Sequence, residues 1–151
     1  MRFGRGVATL LMPMLMLGCA YDTSFKSITL DGVDRDPLFD ACEKVVIDQY
    51  KGVKIRVDRE GGRIETDPVE FSVTDGARRE QAYLVVKELA ERRFRVEVMA
   101  PLSEMVVDLS ADPPVEWVLK GSDVKQEHEM LDLVLAEVLL RFPEATLVEE
   151  G

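Results

Sequence analysis

The stretch REQAYLVVKELAERRFRVEVMA, residues 79–100, decides the fold. Ala82, Val85, Val86 and Leu89 recur at the spacing of a helix face. Against that, Tyr83-Leu84-Val85-Val86 is rich in β-formers, and Phe94, Val96 and Val98 alternate with Arg95 and Glu97. The alternation predicts two antiparallel strands, 80–88 and 93–100, joined near Ala90-Glu91. Within them, Tyr83 to Glu88 is the segment where a helix competes with a strand.

Upstream, Val53, Ile55 and Val57 alternate with Lys54, Arg56 and Asp58, as a strand with one buried face does. Glu60-Gly61-Gly62 reads as a turn, and Arg63 to Thr66 as the return strand, ended by Pro68. Glu70 to Thr74 is a further extended candidate before the turn Asp75-Gly76. Ahead of these, Leu38, Cys42, Val45, Val46 and Gln49 mark one face of a helix, with Asp36 as its cap, Pro37 in its first turn and Gly52 at its end. Downstream, Met105 to Leu109 reads as a short strand, and Pro113-Pro114 opens a rigid loop that carries Trp117. The closing helix is the clearest element. Asp123 with Gln126 makes a capping box; Met130, Leu131, Val134, Leu135, Val138 and Leu139 form an apolar stripe; Pro143 stops it.

Helix, hairpin, hairpin, helix packs most simply as an α+β domain. The expected architecture is an antiparallel sheet of about four to five strands with an N-terminal and a C-terminal helix on one face. The chain of 151 residues then divides into a signal segment (1–18), a lipidated N-terminus and tether (19–36), one domain (37–143) and a C-terminal tail (144–151). Within the tether, Ser27 to Leu30 is a candidate short extended piece. Without residues 1–18, which hold Arg2 and Arg5, 17 basic residues face 29 acidic ones, a net charge of −12. Such a charge repels nucleic acids and anionic lipid head groups, so no nucleic-acid partner is expected. The pairs Arg78-Arg79 and Arg92-Arg93 read as solvated strand or turn residues.

The first residues read MRFGRGVATLLMPMLMLGCA. Arg2 and Arg5 form a positive start, and Val7 to Leu17 is an apolar run of eleven residues, too short for the ~20 residues of a spanning helix. It ends in Met16-Leu17-Gly18-Cys19, which resembles the lipobox of bacterial lipoproteins; Met16 and Leu17 depart from the usual leucine and small residue. The resemblance implies cleavage between Gly18 and Cys19 and acylation of Cys19. It also implies a membrane anchor through palmitate-like chains and, with Ala20 next, sorting to the periplasmic face of the outer membrane. Two or more acyl chains hold a protein stably. The body is similar to the helix-grip domains of lipoproteins in the outer-membrane β-barrel assembly machine, and to uncharacterised envelope lipoproteins. The residues that carry this likeness are Val57 to Thr66, Trp117 and Asp123 to Phe142. It implies a non-catalytic interaction domain with an envelope protein as partner. The alternative is a carrier or sensor of a small apolar ligand between helix and sheet.

No catalytic set is legible. There is no G-x-S-x-G elbow, P-loop or dinucleotide fingerprint. His128, the single histidine, stands between Glu127 and Glu129 and reads as exposed; with Cys42 and scattered carboxylates it makes no zinc pattern. No cofactor, metal or enzymatic activity is therefore expected. Cys42, on the apolar helix face, reads as a buried, inert thiol. Trp117 is the candidate partner contact: in a loop, its ring must pack on the sheet or face a partner.

Overall fold

The computed structural model describes residues 24–149. Gly18 and Cys19, the expected cleavage and lipidation sites, lie outside them. In chain order the elements are β1 (Lys26–Asp31), α1 (Arg35–Gln49), β2 (Ile55–Asp58), β3 (Arg63–Thr66), β4 (Val69–Val73) and β5 (Gly76–Glu80). There follow β6 (Tyr83–Ala90), β7 (Arg93–Met99), β8 (Pro101–Val107), β9 (Val115–Ser122), α2 (Val124–Arg141) and β10 (Thr146–Val148).

The fold is α+β, with two antiparallel sheets where one was expected. A six-stranded sheet has the order β10-β1-β7-β6-β3-β2, and a four-stranded sheet the order β4-β5-β8-β9. Three stretches of chain feed both sheets, running from β3 to β4, from β5 to β6 and from β7 to β8. The break falls at the same level in all three. Pro68 lacks the N–H that would continue the ladder past β3. At the break the Thr66 hydroxyl accepts from the Ala82 N–H at 3.0 Å, and the Gln81 side-chain amide donates to the Thr66 carbonyl at 2.9 Å. These side-chain bonds supplement the backbone bonds that persist at the break, such as Thr66 N–H to the Ala82 carbonyl at 3.0 Å, and the expected strand 80–88 divides at Gln81-Ala82.

The core lies between the six-stranded sheet and the two helices, which pack against each other on one of its faces. Ile64, Leu84, Val86, Phe94, Val96, Val98 and Leu30 share that face by register and are buried. Leu38, Phe39, Cys42, Val45 and Val46 of α1 meet Met130, Leu131, Val134 and Val138 of α2 above them. Full burial of such a side chain contributes about 1.5–3 kcal/mol. The opposite sheet face is polar, with the ion pairs Lys87–Glu97 (2.8 Å), Arg56–Glu65 (2.9 Å) and Arg93–Asp31 (3.1 Å).

Several boundaries differ from the expectations. The supposed tether contains β1, a strand paired on both sides, with Leu30 and Val33 fully buried. The supposed C-terminal tail contains β10, paired to β1. In β1 only Ile28 and Leu30 alternate, and β10 is three residues long, too little pattern to distinguish these short strands from tether and tail. Helix α1 starts at Arg35 behind Asp34, and Asp36 lies in its first turn rather than capping it. The Asp34 carboxylate makes no cap bond; it accepts from Arg92 at 3.2 Å. Val57 sits on the edge strand β2 and is largely exposed, as is Leu139 at the rim of the α2 stripe. Tyr83 to Glu88 is strand, in β6.

Candidate interaction surface

The four-stranded sheet stands as an arm beyond the helices, and none of its residues is buried. Alternation and register sort its side chains. One face carries Glu70, Arg79, Ser103, Met105, Val107, Val115, Trp117 and Leu119; the other carries Val69, Phe71, Arg78, Glu80, Leu102, Glu104, Val106, Glu116 and Val118. The second face looks toward the helices, because Glu80 meets Tyr50 at the end of α1.

Trp117 is not in a loop. Strand β9 begins at Val115, directly after Pro114, and pairs Trp117 with Met105 of β8. The Arg79 guanidinium lies over the indole, 4.1 Å from its centroid, and is itself tied to Glu70. A cation over a tryptophan face is favourable by about 0.5–1 kcal/mol at exposed sites. The ring is half-buried and shares its face with the exposed Val107, Val115 and Leu119.

The arm is fixed to the body by polar groups. At the joint, both backbone groups of Ala100 are taken by the start of α2: its N–H donates to Glu127 Oε1 at 2.9 Å, and its carbonyl accepts from the Asp123 N–H at 2.8 Å. Glu127 is fully buried, and its Oε2 has no hydrogen-bond partner. Beside it the Tyr50 hydroxyl donates to Glu80 Oε1 at 2.5 Å, and Gln126 donates to Gln49 at 3.1 Å. Burial raises the Glu80 carboxyl above the ordinary carboxylate range; the neighbouring Asp123 adds to this and the Tyr50 bond opposes it. Burial, followed by the bond to Glu80, likewise raises Tyr50. A surface cleft of about 300 Å³ opens here, lined by Tyr50, Val53, Val69, Phe71, Glu80 and Gln126.

The other residues singled out in the sequence do not converge. Cys42 is buried in α1, where burial pushes its thiol well above the ordinary range. His128 is exposed on α2. Among the described residues, no group of three or more His, Cys, Asp or Glu side chains is placed to hold a metal, and no helix is long and apolar enough to cross a membrane. Sequence reasoning missed Glu127, Tyr50 and Glu80 as the joint. A signal existed for Glu127, which occupies the stripe position three and four residues before Met130 and Leu131. Comparison with protein-family models and with curated proteins finds no match for the chain.

Proposed function

We propose that the chain is the precursor of a bacterial lipoprotein, anchored through lipid on Cys19, whose arm sheet docks another protein of the cell envelope. The observation that carries the docking role is the exposed apolar face around Trp117. A sheet outside the core, with Val107, Val115 and Leu119 between 43% and 55% exposed, has the character of an interaction site. The reading is non-catalytic. It is supported over an apolar-ligand carrier by the filling between helices and sheet, where Leu38, Phe39, Met130 and Val134 are fully buried. The anchor reading rests on the order of positive residues, apolar run and Gly18-Cys19.

The test is photocrosslinking in cells from a reactive residue at Val107 of the full chain, followed by mass spectrometry. A reproducible envelope protein is expected, lost both on Trp117→Ala and on Cys19→Ser, with the latter variant released from the membrane fraction. Retention of Cys19→Ser on the membrane would refute the anchor. The absence of any adduct from Val107, with the chain on the membrane, would refute the docking face.

A further inference from the structure

Among the described residues, every half-buried carboxylate but two meets an arginine or lysine within 4.0 Å; Glu97 meets Lys87, Glu137 meets Lys44 and Glu104 meets Arg78. The two exceptions, Glu80 and Asp123, stand at the joint between arm and body. Glu80 Oε1 accepts from the Tyr50 hydroxyl, and its Oε2 makes no hydrogen bond with the described residues. Asp123 uses Oδ1 to cap α2 and adds its charge to the surroundings of Glu80. A carboxylate taken partly out of water is costly unless a cation offsets it. The joint therefore holds negative charge that no basic side chain of the described residues balances.

Glu80 also lines the cleft of about 300 Å³ between arm and helices, where Val53, Val69 and Phe71 supply an apolar wall. Around the carboxyl stand Tyr50 and the exposed Lys51 from the end of α1, Asp123 from the start of α2, and Val69 and Leu102 from the flanking strands. Lys51 forms no ion pair with the described acids. We infer that this cleft binds a small protonated primary amine on a short apolar stem, with the ammonium against Glu80 and the stem along Val53, Val69 and Phe71. An ammonium has three donors and no acceptor, which complements a carboxylate with an unused oxygen. The aromatic rings of Tyr50 and Phe71 add an attraction for a cation that a neutral ligand would not feel. The volume lies at the lower end of small-molecule sites, so the occupant is a small molecule. Burial and Asp123 hold the Glu80 carboxyl above its ordinary range, and a cation in the cleft would draw it back down.

Glu80 and Phe71 stand on the face opposite to Trp117, so binding here depends neither on the anchor nor on the docked partner proposed above. The test titrates the full chain, ¹⁵N-labelled in non-ionic detergent at neutral pH, with n-pentylamine, n-pentanol and pentanoate, three probes that share a stem. Pentylamine should shift the amides of Tyr50, Val69 and Glu80 and bind roughly tenfold tighter than pentanol, with no shift there from pentanoate. Glu80→Gln still accepts from Tyr50 and should weaken pentylamine about tenfold; Phe71→Ser should weaken it severalfold. Thermal unfolding verifies that each variant is folded. On the native chain, affinity for the amine should rise as pH rises through the titration of Glu80, because only the ionised carboxylate attracts the ammonium. Glu80→Gln should lose most of that rise. The site is overturned if amine and alcohol bind alike, which would make the cleft merely apolar. It is equally overturned if pentanoate binds in place of the amine, which would assign the cleft to anions through Lys51. Unchanged affinity in Glu80→Gln, or shifts confined to other surfaces, would overturn it as well.

Discussion

Glu127 is the residue on which the arm turns. Its carboxylate satisfies the buried Ala100 N–H at the bend between β7 and β8. Glu127→Ala leaves that donor unpaired and should cost about 2–3 kcal/mol in urea unfolding, while Glu127→Gln, which keeps an acceptor, should cost less than half as much. Glu80 acts through pH. Its folded-state pKa is raised by burial, so its contribution is fully present below the ordinary value of 4.5 and is lost as pH rises through the folded value. Stability measured across that window should show Glu80→Gln gaining on the native chain as pH rises from 4.5, then levelling off. A constant difference between the two would show that Glu80 does not titrate at the joint. Neither role follows from the residues alone. Glu127 and Glu80 are two acids among 29, and their burial is decided by a bend whose position depends on long-range pairing.

At the scale of the element, the Gly61-Gly62 turn and the start of α2 were the most legible parts, because local chemistry dictates them, whereas the cap of α1 was expected two residues late. Asp123 accepts from the Gln126 N–H at 3.0 Å, as its capping pattern predicts. Gly62 lies at φ +67° with its carbonyl bonded to the Val86 N–H at 2.8 Å, and a Cβ there would approach the Val86 carbonyl oxygen to 2.5 Å. Gly62→Ala should therefore lower stability by about 2 kcal/mol or more, measured by denaturant unfolding; a neutral result would mean that the β2–β3 turn relaxes freely. Period-two alternation identified β6 and β7 but not the break at Gln81-Ala82, since alternation continues unchanged through a bend. Trp117 was misplaced for a related reason. Two prolines suggest a loop, yet they end one residue before a strand that β8 organises from across the ladder.

For the whole molecule, the division between body and arm predicts a gradient of stability. Strands β1, β6 and β7 border the core, whereas β4, β5, β8 and β9 have no buried side chain. Native-state hydrogen exchange should show amides of the arm opening at a lower free energy than those of β7, with the joint intermediate. Equal protection throughout would mean that the two sheets unfold as one unit. The class of fold was legible because two strongly patterned helices frame alternating strands; the second sheet was not, because the same three stretches of chain build both. One consequence follows from the direction of β1. It enters the body at Lys26, opposite Val98 and three residues before the start of β8, while β10 runs back toward the same end with Val148 opposite Thr29. A group attached at Lys26 or at Val148 itself therefore starts from the side from which the arm projects. Immobilising the protein at the end of the body where β1 begins and β10 ends would turn the four-stranded sheet toward the support and shade it, whereas attachment at the turn around Glu91, at the opposite end of β7, would present it to the solution.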